Sequence, residues 1–344
     1  MRKVCSAVFF VPLLAGCNPE FSNRFSAVDS VRVLGVQSTP AQAAPKSKVG
    51  YRILVATPEG TATNPRVDWS YCNQPKPVTE VDDVSQVCLG NGTAVVAIGS
   101  GAQVTGTIPE HACQEFGPDL PIGEPHARPT DADSTGGYYQ PVIVDVSADA
   151  EQIPALGETR ISCSLANSSL AQAQDYANRS RDNQNPTLTD VVVSSRAGVS
   201  LTPEGADMPL SVSAGEALTL SASWPSCPDM PVCGDGICSP LEAVQDCPAD
   251  CTTPHGCPGP EPYAYLDPVQ HEVVSRHEAM RVSWFASAGS FSSDHTGQPE
   301  SDYMITSSDD TWTAPTTSGP VFLWVVLRDD RGGVDWKSFQ VQVQ

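Results

Sequence analysis

Short stretches in which apolar and polar residues alternate recur along this chain, and turn residues separate them. Tyr51, Ile53 and Val55 alternate in one stretch, and Val142 and Val144 belong to another. Alternation of this kind places the apolar side chains on one face of a half-buried strand. The 31 prolines and 26 glycines keep such stretches short. The pattern therefore predicts an all-β protein made of many short strands.

The strand-like stretches fall into two blocks, 28–165 and 187–344. Between them, residues 166–186 contain good helix formers behind Ser168 or Ser169, either of which suits an N-cap. We therefore expect two Ig-like β-sandwich domains joined by a helical linker. A cysteine-rich insert, residues 227–257, is predicted between the second and third strands of the second sandwich, where a long insertion costs little entropy.

Residues 1–17 have the features of an export signal that ends in a lipidated cysteine. Arg2 and Lys3 precede the apolar run Val4–Leu14, which is too short to cross a bilayer as a stable helix. The sequence LAGC that ends at Cys17 resembles the lipobox of bacterial lipoproteins, in which the cysteine receives a diacylglycerol before cleavage. An ordinary signal peptide that happens to contain a cysteine is the alternative.

On the lipoprotein interpretation, Cys17 becomes the first residue of the mature chain and residues 18–27 form a tether. Two or more acyl chains anchor a protein stably, because each buried methylene contributes roughly 0.8 kcal/mol. We therefore expect a lipid-anchored protein of the cell envelope. It would lie at the outer membrane, on the periplasmic or the surface face, with an envelope protein of unknown identity as its partner.

Of the 12 cysteines, Cys5 would leave with the signal and Cys17 would be lipidated. An even number then remains in an exported chain, which predicts up to about five disulfide bonds. Six of the candidates lie in the insert and allow about 15 pairings among themselves, so the connectivity stays open. The candidates are Cys72, Cys88, Cys113, Cys163, Cys227, Cys233, Cys238, Cys247, Cys251 and Cys257.

Acidic residues far outnumber basic ones, with 40 Asp and Glu against 19 Lys and Arg and a net charge of −21. The chain has no basic run that would follow a phosphate backbone, which argues against nucleic-acid binding. The acidity serves solubility first and attraction of cations second.

The second block resembles Ig-like β-sandwich modules of the PKD type in the stretches GEALTLSASW, MRVSWFASAGSF, TWTAP and PVFLWVVLRDDRGGVDW. Those modules have a tryptophan on the third strand, here Trp284, and a final hairpin that turns at an Asp/Gly-rich corner, here residues 329–333. Together with the lipobox, the chain resembles uncharacterised lipoproteins of myxobacteria and their relatives. This resemblance implies a fold but no activity.

The insert resembles a small disulfide-rich module of secreted bacterial proteins with the pattern C-G-D/N-G-x-C-x3-E-x4-C-P-x-D-C. The match begins at Cys233 and ends at Cys251, with Leu241 where the module often has glycine. Its spacings and an oxidising setting favour disulfides over zinc or a redox centre. Carboxylates within it are candidate ligands of a structural Ca²⁺ ion, a solvated acidic face being the alternative. These residues are Asp235, Glu242, Asp246 and Asp250.

Three further patterns are weighed against simpler explanations. Asp329 and Asp330 form a second candidate calcium corner, or they are only hairpin residues. His271 and His277 are six residues apart, which on a strand separates them by about 20 Å, so we interpret them as surface histidines rather than metalloprotease ligands. A carbohydrate-stacking platform would need an exposed row made of Trp284, Trp312, Trp324 and Trp336, although strand positions favour a core role for the first and third.

The sequence thus predicts a non-catalytic envelope lipoprotein that acts as a binding or structural module. The alternative is a calcium- or carbohydrate-binding accessory lipoprotein of an envelope enzyme system, and no cofactor is expected beyond the candidate calcium. An enzyme would need a deep pocket that holds His111, His126 or His271 beside carboxylates.

Overall fold

The computed structural model describes residues 25–76, 84–89, 92–119, 133–148, 151–227, 233–234, 247–250 and 256–344. Over this part of the chain the secondary structure is almost entirely β. The predicted fold class is confirmed: two Ig-like sandwiches, with disulfide bonds in the C-terminal region. Within the described residues, no helix has the length and apolar composition that crossing a bilayer requires.

The first sandwich has one sheet in which β3 pairs with β1, β4 and β7, and a second sheet in the order β2-β9-β8-β5-β6. Tyr51, Val55, Trp69 and Val144 lie in the core between these sheets, as the alternation predicted. The short helix α1 (Ala112–Glu115) follows β7. The strands are β1 (Arg32–Thr39), β2 (Gln42–Ala43), β3 (Lys48–Thr57), β4 (Gly60–Thr61), β5 (Arg66–Cys72), β6 (Val95–Ser100), β7 (Gln103–Thr107), β8 (Tyr139–Ala148) and β9 (Glu151–Ile161).

The second sandwich has sheets in the orders β11-β10-β13-β19-β17 and β12-β21-β20-β16-β18, and β14 and β15 form a separate ladder. Trp284 and Trp312 are fully buried in its core. The strands are β10 (Asp190–Val193), β11 (Val199–Ser200), β12 (Leu210–Val212), β13 (Ala217–Ser223), β14 (Pro262–Leu266), β15 (Val273–His277), β16 (Met280–Ala286), β17 (Ser290–Phe291), β18 (His295–Gln298), β19 (Ser307–Thr313), β20 (Gly319–Arg328) and β21 (Val334–Val343).

The cysteine-rich insert lies between β13 and β14, so four strands of the second sandwich precede it, not two. The sequence pattern did not resolve β11 as a separate strand, because its two residues are too few for alternation to show. The β14–β15 ladder after the insert was also missed, since its residues alternate weakly.

The predicted linker helix is present as α2 (Leu170–Arg179). Its N-cap is Ser169, whose hydroxyl accepts from the Gln172 N–H at 3.3 Å, while the Gln172 side chain accepts from the Ser169 N–H at 2.7 Å. This reciprocal capping box satisfies two of the backbone donors that a helix start leaves unpaired. At the other end, Arg179 donates to the Val273 carbonyl and so ties the helix to β15.

A shared apolar interface joins the two sandwiches. Strand β20 is apolar on both faces: Leu323 and Val325 point into the second core, whereas Trp324 faces the first sandwich. There it packs in a cluster with Leu34 and Leu54 and is fully buried. A continuous apolar run is typical of a strand covered on both sides, and the covering layer here is the outer face of β1 and β3. The sandwiches therefore pack face to face.

Polar contacts cross the same interface. The Trp324 indole donates to the Thr61 hydroxyl at 2.7 Å. The Arg52 guanidinium forms an ion pair with Asp335 at 2.9 Å and lies 4.1 Å from the centroid of the Trp336 ring. Such contacts have defined geometry, so they fix the orientation that the apolar cluster alone would leave loose.

Replacing Leu54 by alanine should weaken the interface by about 2–5 kcal/mol, because a buried side chain would leave a cavity there. Unfolding in urea under non-reducing conditions, followed by circular dichroism and by tryptophan fluorescence, should change from one transition to two. Leu220→Ala, in the core of the second sandwich, is the matched control and should destabilise that sandwich without separating the pair. A change below about 0.5 kcal/mol in the Leu54→Ala variant would contradict a stabilising interface.

Candidate functional site: the cleft between the sandwiches

A cleft of about 1050 Å³ opens beside the interface, and both sandwiches line it. Tyr139, Leu156 and Glu158 come from β8 and β9 of the first sandwich, and Arg281 and Arg328 from β16 and β20 of the second. The volume lies at the upper end of the range for small-molecule sites, roughly 300 to 1,000 Å³, and such sites favour junctions between domains.

Part of the cleft wall is the hairpin corner between β20 and β21. The Asp329 carboxylate accepts from the backbone N–H groups of Arg331 at 2.9 Å and Gly333 at 2.7 Å, and from the Asn183 side chain at 3.4 Å. These bonds use the carboxylate to close its own turn, which accounts for the acidic corner as hairpin chemistry. Among the described residues, no three acidic, histidine or cysteine side chains are grouped to hold a metal.

Behind the corner, Arg331 is buried together with two glutamates. Its Nε atom donates to Glu278 at 2.7 Å, and its Nη2 atom is paired with Glu261. The Glu261 carboxylate also accepts from the Cys257 N–H at 2.8 Å, so the end of the cysteine-rich insert is tied to the same cluster. The arginine thus connects the last hairpin, the turn between β15 and β16, and the end of the insert through one buried charge.

Burial raises the pKa of several carboxyl groups around Arg331. Desolvation raises the pKa of Glu261 to about 7, and raises that of Glu278 well above its usual value, with Arg331 opposing both shifts. Desolvation also raises the pKa of Asp329, and raises that of Asp330 to about 6 with a further contribution from Asp329. The physical reason is a charge imbalance, since these acids share a single buried guanidinium and a proton replaces the missing cation.

The protein should melt at a higher temperature at about pH 5 than at about pH 8. Where the folded pKa is raised, the folded state holds protons that the unfolded chain has released. Stability from these groups is therefore present at low pH and is lost as the pH rises through about 6 for Asp330 and about 7 for Glu261. Melting temperatures measured between about pH 5 and about pH 8 test this expected loss of stability.

Two variants test how much the carboxyl groups around Arg331 contribute to the slope of melting temperature against pH. Asp330→Asn should flatten the dependence near pH 6, because it removes one of the raised groups. Asp302→Asn removes an exposed carboxylate of the same sandwich and should leave the slope unchanged. A melting temperature that rises between about pH 5 and about pH 8 would contradict the raised pKa values of the acids around Arg331.

Eight of the ten candidate disulfide cysteines are paired in the described part of the chain. The Cα atoms of the pairs are 5.1 to 5.9 Å apart, within the usual range for disulfides. Cys238 and Cys251 lie outside the described residues. The pairs are Cys72–Cys88, Cys113–Cys163, Cys227–Cys257 and Cys233–Cys247.

Three of the four calcium candidates, Asp235, Glu242 and Asp246, lie outside the described residues, and so does Cys17. Asp250 is described and buried, and its carboxylate accepts from the Gly234 N–H. Calcium binding by the insert and lipidation of Cys17 therefore both stay predictions.

The histidines named from the sequence do not line the cleft in the described part of the chain. His111 is exposed, and His126 lies outside the described residues. His271 is exposed in the β14–β15 turn, and His277 at the end of β15 stacks on Tyr303 at 3.6 Å. The histidine that does line the cleft is His295 on β18. Its strand has only four residues, so no periodic signal marked it.

The four tryptophans of the second block form no exposed row. Trp284, Trp312 and Trp324 are fully buried, and Trp336 is half-buried beneath Arg52. A stacking platform made of these rings is thus absent. Trp324 is buried as expected, but between the sandwiches rather than within one of them.

No protein-family model matches the chain, and neither does any curated protein. Among solved structures, it is similar to a chimeric titin Z1Z2-Z1Z2 tandem at 10% identity and a TM-score of 0.22, over 91% of this chain and 99% of that one. Tandem Ig repeats of Dlar match at 6% identity and a TM-score of 0.21, over 92% and 98%. Alpha-2-macroglobulin of Escherichia coli matches at 11% and 0.21, over 93% of this chain and 22% of that one. At such scores the likeness carries no argument about function.

Proposed function

We propose that the protein is a non-catalytic lipoprotein of the cell envelope that presents a binding cleft on a rigid pair of Ig-like sandwiches. The observation that carries the proposal is the apolar cluster around Trp324, which buries residues of both sandwiches together. Because both sandwiches contribute lining residues, that cluster also holds the two walls of the cleft at a fixed separation. A cleft whose two walls are held in this way is suited to binding a ligand without changing it chemically.

The disulfide bonds support the same role. Cys72–Cys88 and Cys113–Cys163 fasten long loops to the first sandwich, and Cys227–Cys257 closes the base of the insert. Such bonds stabilise a fold chiefly by restricting the unfolded chain, and they persist in oxidising compartments. An exported, anchored module that keeps its shape outside the cytoplasm fits these features, with the membrane and an envelope protein as its partners.

The anchoring part of the proposal predicts that Cys17→Ala abolishes lipid attachment. The native chain should incorporate a clickable palmitate analogue and sediment with the membranes, because two or more acyl chains bind a bilayer stably. The variant should incorporate no label and leave the membrane fraction. Cys5→Ala, within the signal, is the matched control and should behave as the native chain does. Equal labelling of the native chain and Cys17→Ala would contradict the anchor.

The binding part predicts that partners contact the cleft rather than the surface at large. A photo-crosslinking amino acid placed at Leu156, which lines the cleft and is 41% exposed, should form adducts in intact cells. The same amino acid at Val96, 47% exposed on β6 of the same sheet, is the control and should form few. Equal yields at the two positions would contradict a role for the cleft.

A further inference from the structure

The wall that the second sandwich contributes to the cleft concentrates positive charge. Arg281 on β16 lies directly opposite Arg328 on β20 in the antiparallel register, so both side chains leave the same face of the sheet. Both line the cleft, together with His295 from β18. Like charges directly opposite on neighbouring strands destabilise a sheet, so this arrangement needs a compensating interaction.

Among the residues that the structure describes, no carboxylate forms an ion pair with either arginine. Within the described residues, the ion pairs engage other arginines, such as Arg52, Arg276 and Arg331, but neither Arg281 nor Arg328. Arg328 donates instead to the Leu34 carbonyl at 2.6 Å. Desolvation lowers the pKa of Arg328, and the neighbouring Arg281 lowers it further. In a chain with a net charge of −21, two adjacent guanidinium groups with no ion-pair partner in the described part of the chain are unusual.

A buried hydroxyl contacts two of these side chains. Ser283, which is 2% exposed, has its Oγ atom 3.0 Å from the Nδ1 atom of His295 and 3.3 Å from the Nη1 atom of Arg328. Ser283 and His295 are themselves cross-strand partners of β16 and β18. The two side chains at the cleft are therefore held by a fixed residue between them, as expected of a preorganised site.

We propose that the cleft binds a ligand through a single oxyanion group, a carboxylate or a phosphate, held by Arg281, Arg328 and His295. A planar guanidinium presents paired donors that match either oxyanion in a bidentate geometry. Binding would also relieve the repulsion between the two arginines. This inference rests on the proposed binding role of the cleft and names the chemistry of its ligand.

The rest of the lining limits what the ligand carries besides that group. Glu158 and Asp133 of the first sandwich and Asp330 of the second line the same cleft, so a polyanion would meet repulsion from them. Leu156 and Val36 add apolar surface. The ligand therefore carries one oxyanion group on an uncharged body, and a polymer with many phosphates or sulfates is disfavoured.

Direct titration of the chain from residue 18 onward, which keeps every described residue, tests the inference. The probes are inorganic phosphate, a short N-acetylated apolar peptide with a free C-terminal carboxylate, and the same peptide as its C-terminal amide. Phosphate, the peptide acid or both should bind, and the amide should bind at least roughly tenfold more weakly than the acid. Which of the two oxyanion probes binds more tightly distinguishes a phosphate ligand from a carboxylate ligand.

Arg281→Gln is the decisive variant, because Arg281 is exposed and its loss leaves the cores intact. It should weaken binding by roughly tenfold or more. Arg66→Gln, which removes an exposed strand arginine from the first sandwich, is the matched control and should bind as the native chain does. Arg328→Lys keeps the charge but loses the planar fork, so it should also bind more weakly. Thermal melts verify that each variant is folded.

Three results would overturn the inference: no binding of either oxyanion probe at about 10 mM, binding of the peptide acid that its amide equals, or equal losses in Arg281→Gln and Arg66→Gln. Each leaves the proposed function standing if crosslinking at Leu156 still exceeds that at Val96. Equal crosslinking at those two positions would overturn the role of the cleft itself, so the two failures are distinguishable.

Discussion

The packing of Trp324 between the two sandwiches is the contact on which the rest of the structure depends. An Ig-like sandwich buries one face of each sheet in its own core and usually leaves the other face to solvent. Here β20 is apolar on both faces, and the outer face of β1 and β3 covers the second one. Removing that cover would expose Trp324 and Val326 to water. The interface therefore turns two modules into one body and sets the walls of the cleft.

The buried Arg331 cluster adds a second connection, with a different physical character. Apolar packing is tolerant of direction, whereas the pairing of one guanidinium with Glu261 and Glu278 requires a particular placement of the insert, the β15–β16 turn and the last hairpin. Buried ion pairs contribute little net stability, because desolvation offsets their attraction. These ion pairs serve to hold Arg331 in place. Asp329 and Asp330, which adjoin Arg331 in the sequence, also line the cleft. The pKa of Glu261 is raised because its carboxyl group is buried away from water and shares the Arg331 guanidinium with other acids.

Charge is distributed unevenly across the cleft. The first sandwich contributes Glu158 and Asp133, whereas the second contributes Arg281 and Arg328 beside Asp329 and Asp330. In this strongly acidic protein, two neighbouring arginines thus line the cleft, and neither forms an ion pair with another described residue. The proposed oxyanion ligand follows from this arginine pair, whereas the proposed envelope role rests on the sequence around Cys17.

The sequence by itself determined the features that depend on neighbours along the chain. Alternation identified Tyr51 and Val55 as core residues, and the helix formers behind Ser168 and Ser169 identified the capped helix, because strand pleat and helix caps are local. It also indicated that Trp324 is buried, but an apolar run does not name its partner. Only the tertiary structure decided that Trp324 meets the first sandwich and that Arg281 faces Arg328. Those pairings depend on strand register and sheet packing over long separations in sequence, which no local pattern encodes.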